Sequence, residues 1–216
     1  MMNSKLKVAD ITTLVPSTAV YSKGKKRVQE ILEVATEVLA FEGYSAFTMR
    51  NIASKSGMTH RNLQYYFKTK SSLFQAVVER MIDLELKSAH AALDQPKLSP
   101  EEKFSVFIDC SIRDNEVPLI RGFHFELWAM ATRDDFAAEC RDKTTIVYCD
   151  FISTLIEPLT PGLNDYDRHS KAAIILSMLQ GLPLIRSAYR SKKLKVKKIE
   201  EKIKQEAIAI LSSSRP

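Results

Sequence analysis

Residues 48–73 read TMRNIASKSGMTHRNLQYYFKTKSSL. Thr48 is a good N-cap for a first helix that closes at Gly57. Thr59 caps a second helix reaching about Phe67, and Thr69 caps a third. Two short helices around a tight glycine turn form a helix-turn-helix. Upstream, Val28, Ile31, Leu32, Ala35, Val38 and Leu39 make one helical stripe from Lys25, ended by Gly43. Downstream, Leu73, Phe74, Val77, Val78, Met81 and Ile82 continue at helical spacing.

The same stretch is empty of carboxylates. Between Glu42 and Glu79 there is no Asp or Glu, while Arg50, Lys55, Arg61, Lys68 and Lys70 all fall inside. On a helical wheel of residues 59–67, Leu63, Tyr66 and Phe67 face the neighbouring helices. Arg61 and Tyr65 point away, flanked by Asn62 and Gln64. A fork donor, a phenol and two amides suit base edges and phosphate oxygens. Helix starts favour acidic residues, yet His60 and Arg61 open one helix here and Lys68 and Lys70 flank the next. Free N–H groups beside cations predict a bound anion, and a phosphate backbone supplies one.

The whole chain agrees with that assignment. Its net charge of +6 sits entirely in residues 1–80, which hold twelve Lys/Arg against six Asp/Glu; residues 81–216 hold twenty of each. Such asymmetry predicts one domain that meets a polyanion and one that does not. A hydrophobic fraction of 45% and a charged fraction of 27% are those of a globular protein. No apolar run reaches membrane-spanning length, and the N-terminus shows no signal-peptide pattern. Residues 1–24 read as a flexible tail. The unpaired spacing of Cys110, Cys140 and Cys149 fits buried thiols in a reducing compartment. Scattered histidines exclude a zinc motif, so neither metal nor cofactor is expected.

Residues 94–104, around Pro96, mark a boundary, where Ser99, Pro100 and Glu102 spell a capping box with proline at the first helical position. Long helical patterns follow, with no alternating strand pattern. The expected architecture is all-α with about nine helices: a helix-turn-helix domain over residues 25–85 and a second helical domain over 86–216. A bend is expected near Pro183. The run from Arg190 to Lys204, eight Lys/Arg against Glu200 and Glu201, reads as a solvated helix face.

The pattern also resembles the TetR family of bacterial transcriptional regulators. The residues that carry the resemblance are Thr48, Ile52–Ala53, Gly57–Met58–Thr59, Tyr65–Tyr66–Phe67, Lys70 and Leu73–Phe74, over roughly residues 25–75. It implies a dimer on a palindromic double-stranded DNA operator, a second domain that senses a small organic effector, and pairing of the last two helices with their copies. The DNA-binding candidates are then Thr48, Arg50, Thr59, His60, Arg61, Asn62, Gln64, Tyr65, Tyr66 and Lys70. Gln64 stands where many members have a phosphate-binding tyrosine, and Arg61 where a small residue is frequent, which points to base reading by Arg61. Dimerisation candidates are Ile175, Leu179, Leu182, Ile203 and Ile210. Phe107, Phe125, Trp128 and Met178 are candidates for a ligand pocket, although such side chains at helical spacing are more often plain core.

The function expected is a cytoplasmic, ligand-released repressor. The competing expectation is a DNA-binding protein whose second domain holds a protein partner, which an exposed apolar groove without an internal pocket would favour. An enzyme is disfavoured, since the sequence holds no nucleophile–base motif or metal cluster, and its six glycines leave little room for a phosphate-cradling loop.

Overall fold

Three threonines set the helical register of the N-terminal domain. The hydroxyl of Thr48 accepts the N–H of Asn51, that of Thr59 the N–H of Asn62, and that of Thr69 the N–H of Ser72, at 3.2, 3.2 and 3.0 Å. Each satisfies an N–H that the helix leaves unpaired, worth about 1 kcal/mol. The computed structural model describes residues 22–95, 97–187 and 195–212. Among these residues every regular element is helical. Residues 1–21 of the expected tail, Pro96 and Arg190–Leu194 of the basic run lie outside the described residues.

Helix α1 spans Ser22–Glu37 and widens into a π-turn at Val38–Glu42. Then come α2 (Met49–Lys55), α3 (His60–Tyr66) and α4 (Lys70–Leu93). Gly57, between α2 and α3, has φ +64°, a left-handed conformation that glycine adopts without strain. The second half comprises α5 (Pro100–Asp114), α6 (Pro118–Ala131), α7 (Asp135–Ile156), α8 (Asp165–Ser187) and α9 (Val196–Ser212), with a 3₁₀ turn at Glu157–Leu159. Ser99 and Glu102 form the reciprocal cap of α5. Pro183 lies inside α8, which runs on to Ser187.

Two apolar cores share two helices, α4 and α7. The first gathers Ile31, Leu39, Phe47, Ile52, Leu63 and Phe74 with Phe123 and Leu127 of α6. The second gathers Leu86, Phe104, Ile108, Ile152, Ile175 and Leu179. Residue 85, the expected domain limit, falls within α4. That helix does not break there: Met81 belongs to the first core and Leu86 to the second. Helix α7 likewise carries Cys140 in the first and Tyr148 in the second. The halves are therefore joined by continuous helices.

Polar pins close the C-terminal half. Arg186 donates to Glu200 of α9 at 2.5 and 2.8 Å, and to the carbonyl of Ile112 in α5 at 2.8 Å. Lys171 is buried, and its ammonium donates to the carbonyl of Ile210 near the end of α9. In the described part of the basic run, Lys202 pairs with Glu206 and Lys204 with Asp109.

Candidate nucleic-acid interface and ligand cavity

Helix α3 is held by one side and free on the other. Leu63 is buried and Tyr66 half-buried, while His60, Arg61, Asn62, Gln64 and Tyr65 are exposed, Tyr65 by 60%. The Tyr65 and Tyr66 rings meet edge to face at 5.4 Å, which steadies the outer phenol. Thr48, Arg50 and Thr59 are exposed beside them, the two threonine hydroxyls already engaged as caps. Arg27 of α1 donates to the carbonyl of Ser56 at 2.7 Å and fixes the turn against the first helix.

Lys70, the first residue of α4, has its ammonium 3.4 Å from the centre of the Tyr44 ring. This is close cation–π contact. Burial lowers the pKa of Lys70, and Asp134 opposes that shift. Tyr44 was missed by sequence reasoning because its only local signal is a position just after Gly43. Its own N–H donates to Glu126 of α6 at 2.9 Å.

Helix α6 faces two ways. On one side Gly122, Phe123 and Glu126 meet the end of α1 and Tyr44. On the other, Arg121, His124, Phe125 and Trp128 line a cavity of about 90 Å³ beneath α4, α5, α7 and α8. Phe107, Phe125 and Trp128 line it as candidates from sequence. Met178 does not, since α8 turns it toward the groove with Ile199 and Ile203 of α9.

The cavity also holds polar groups that sequence reasoning did not single out. Nε2 of His124 lies 3.2 Å from both oxygens of Glu85, and its buried Nδ1 has no partner. The Tyr148 hydroxyl is buried beside Glu85 without a hydrogen bond of good geometry. Burial, then the Glu85 charge, holds that phenol well above its ordinary pKa. Asp114 lines the same cavity, and its pKa is raised by burial and by repulsion from Glu85. One signal was visible in sequence: Asp114 ends α5, where the helix dipole disfavours an acid. No group of metal-ligating side chains occurs among the described residues, and none of the described helices is long and apolar enough to cross a membrane.

The dimerisation candidates need correction. Ile175, Leu179 and Leu182 are buried within the protomer, because α8 packs that face on α5 and α7. They cannot form an outer surface. Ile203 and Ile210 are half-buried against the same core. The apolar side chains that α8 and α9 do expose include Ile174, Ile185 and Ile208, at 41%, 42% and 46%.

A helix-turn-helix with a basic outer face is joined here to a helical domain that holds a cavity. Residues 31–77 match the family pattern of bacterial regulatory proteins of the tetR family. An HTH-type transcriptional regulator from the dhlA 5′ region of Xanthobacter autotrophicus is 27% identical over 141 residues, 64% of this chain and 68% of that one. Among solved structures, a TetR-family regulator from Rhodococcus sp. superposes with a TM-score of 0.70 at 16% identity, over 87% of this chain and 100% of that one. A transcriptional regulator from Saccharomonospora viridis, solved in complex with choline, gives 0.67 at 17% identity over 84% and 95%. Over residues 31–77 the chain is thus similar to the tetR family, and its fold is that of solved TetR-family regulators.

Proposed function

We propose that the protein is a homodimeric repressor that leaves a palindromic operator when a small organic molecule fills the cavity under α6. The observation that carries this reading is the double engagement of α6: residues 120–128 of this one helix line the cavity and also meet Ala40 after α1 and Tyr44. A ligand that moves α6 moves the helix-turn-helix with it. A small cavity with unpartnered buried polar groups also favours a metabolite over a protein partner. The choline held by the regulator from Saccharomonospora viridis gives the same fold a small organic occupant in that protein.

At the operator, Arg61, Asn62, Gln64 and Tyr65 read base edges in the major groove. Thr48, Arg50, Thr59, His60, Tyr66 and Lys70 position the backbone. Two-fold readers of this kind contact half-sites about 34–36 Å apart or a multiple of it. The second copy is placed by the outer face of α8 and α9, where Ile174, Ile185 and Ile208 remain exposed. Gly181 lies in the last third of α8, yet a side chain there would meet nothing within 4 Å among the described residues. Its smallness serves no packing among those residues and suits a close approach by a partner helix. The protein works in the bacterial cytoplasm, on the nucleoid.

The test is operator affinity measured by fluorescence anisotropy, on duplex DNA recovered with the protein from cell extract, with and without cavity ligand. Weaker binding by the ligand-saturated dimer is expected. Equal affinity for both forms contradicts release, since a ligand shifts only an equilibrium whose two states it distinguishes.

A further inference from the structure

The walls of the cavity have one chemical character. Trp128, Phe107, Phe151 and the His124 and Tyr148 rings surround it, with Phe107 and Phe151 5.6 Å apart and His124 and Trp128 5.7 Å apart. Electron-rich ring faces attract cations. Within them, Glu85 and Asp114 supply two negative charges against the one guanidinium of Arg121. Among the described residues the Asp114 carboxylate has no hydrogen bond or ion pair, with Arg121 or with any other group.

With Nε2 of His124 donating to Glu85, Nδ1 of the ring keeps a lone pair and has no partner. Among the lining side chains carboxylates outnumber guanidiniums by one, with Arg113 beside Asp114 outside the lining. The buried polar atoms of the cavity wall without a partner are Nδ1 of His124 and the Tyr148 oxygen, both able to accept, and the half-buried Asp114 carboxylate lines the same space. What is missing is a donor with a positive charge.

We propose that the cavity binds a compact organic ammonium ion, its N–H groups meeting Asp114, Nδ1 of His124 and the Tyr148 hydroxyl inside the aromatic wall. The volume of about 90 Å³ is below the ~150 Å³ of an apolar cavity that admits benzene, so the occupant is small. Asp114 is kept at a cost in the empty protein. It sits at the disfavoured end of α5, repelled by Glu85, and an entering cation relieves both. The inference rests on this cavity being the effector site.

Trp128 is the only tryptophan of the chain and lines the cavity, so its emission reports the occupant. The full chain is titrated with isobutylammonium, isobutanol and isobutyrate, which are similar in size and differ in charge, at millimolar concentration. A saturable change is expected with isobutylammonium and none with isobutyrate. Asp114→Asn should weaken the ammonium ion by about tenfold or more, the loss of one charge-assisted hydrogen bond. Tyr148→Phe, which keeps the ring and the packing, should weaken it severalfold. A response to isobutyrate or isobutanol as tight as that to the amine, no response to the amine, or unchanged affinity in both variants would overturn the inference. If the acid or the alcohol fills the cavity and weakens operator binding, the ammonium inference fails while ligand release stands. If the amine binds as expected and operator affinity does not move, ligand release fails while the ammonium inference stands.

Discussion

Gly122 of α6 lies against Ala40 in the π-turn so closely that a methyl group on Gly122 would sit 2.3 Å from the Ala40 carbonyl oxygen. No flexible side chain can yield there, because the obstacle is backbone. This is where the helix lining the cavity touches the helix-turn-helix domain, and the Glu126–Tyr44 hydrogen bond lies one turn further along.

Gly122→Ala should therefore destabilise the protein by about 1–3 kcal/mol, the usual cost of overpacking. It should also change the ratio of operator affinities with and without ligand, because the helices must part for the methyl to fit. Urea denaturation gives the first quantity and anisotropy the second. Unchanged stability would mean that α6 and α1 slide freely.

The exposed face of α8 makes a second expectation. Ile174→Asp and Ile185→Glu should give folded monomers by sedimentation velocity, with helical circular dichroism retained. Ile175→Asp should instead unfold the C-terminal half, since Ile175 is wholly buried. A dimeric Ile174→Asp/Ile185→Glu protein would move the interface elsewhere.

These neighbouring isoleucines show where sequence reading stops. The helix-turn-helix was legible because its signals are local: threonine caps, a glycine turn, a stripe of period 3.6 and a missing sign of charge. Helix α8 is apolar on both its buried and its exposed face, so periodicity cannot say which side meets its own core. The same ambiguity put Met178 in the cavity. The Gly122–Ala40 approach and the Glu85–His124 contact join residues far apart in sequence, and no spacing rule announces them. Three cavity-lining residues were legible as large aromatic side chains, but the acids that give the cavity its charge were not.

His169 supplies the pH dependence. Its Nδ1 lies 2.9 Å from the carbonyl of Asp165, and its Nε2 lies 3.0 Å from Asp150 of α7, with Ser153 and Arg168 alongside. The Asp165 carbonyl first, then Asp150, raise its pKa above the ordinary value. The protonated ring thus stabilises the α7–α8 contact. That contribution is complete below the ordinary histidine pKa of about 6.5 and is lost as pH rises through the raised value. The ring is half-exposed, so the effect is small. His169→Gln should flatten this part of the stability–pH curve in urea titrations; an unaltered slope would remove His169 from the account.

The central claim is that the outer face of α3 reads DNA sequence while Lys70 holds its backbone. Titration of wild type, Arg61→Ala and Lys70→Ala against cognate and scrambled duplexes at several salt concentrations tests it most directly. Lys70→Ala should weaken both duplexes alike and lower the salt slope by about one. Arg61→Ala should cost roughly 1–3 kcal/mol on the cognate duplex only and relax the preference at one base pair, a guanine. Equal weakening of both duplexes by Arg61→Ala, with base preference intact, would contradict the assignment of sequence reading to Arg61.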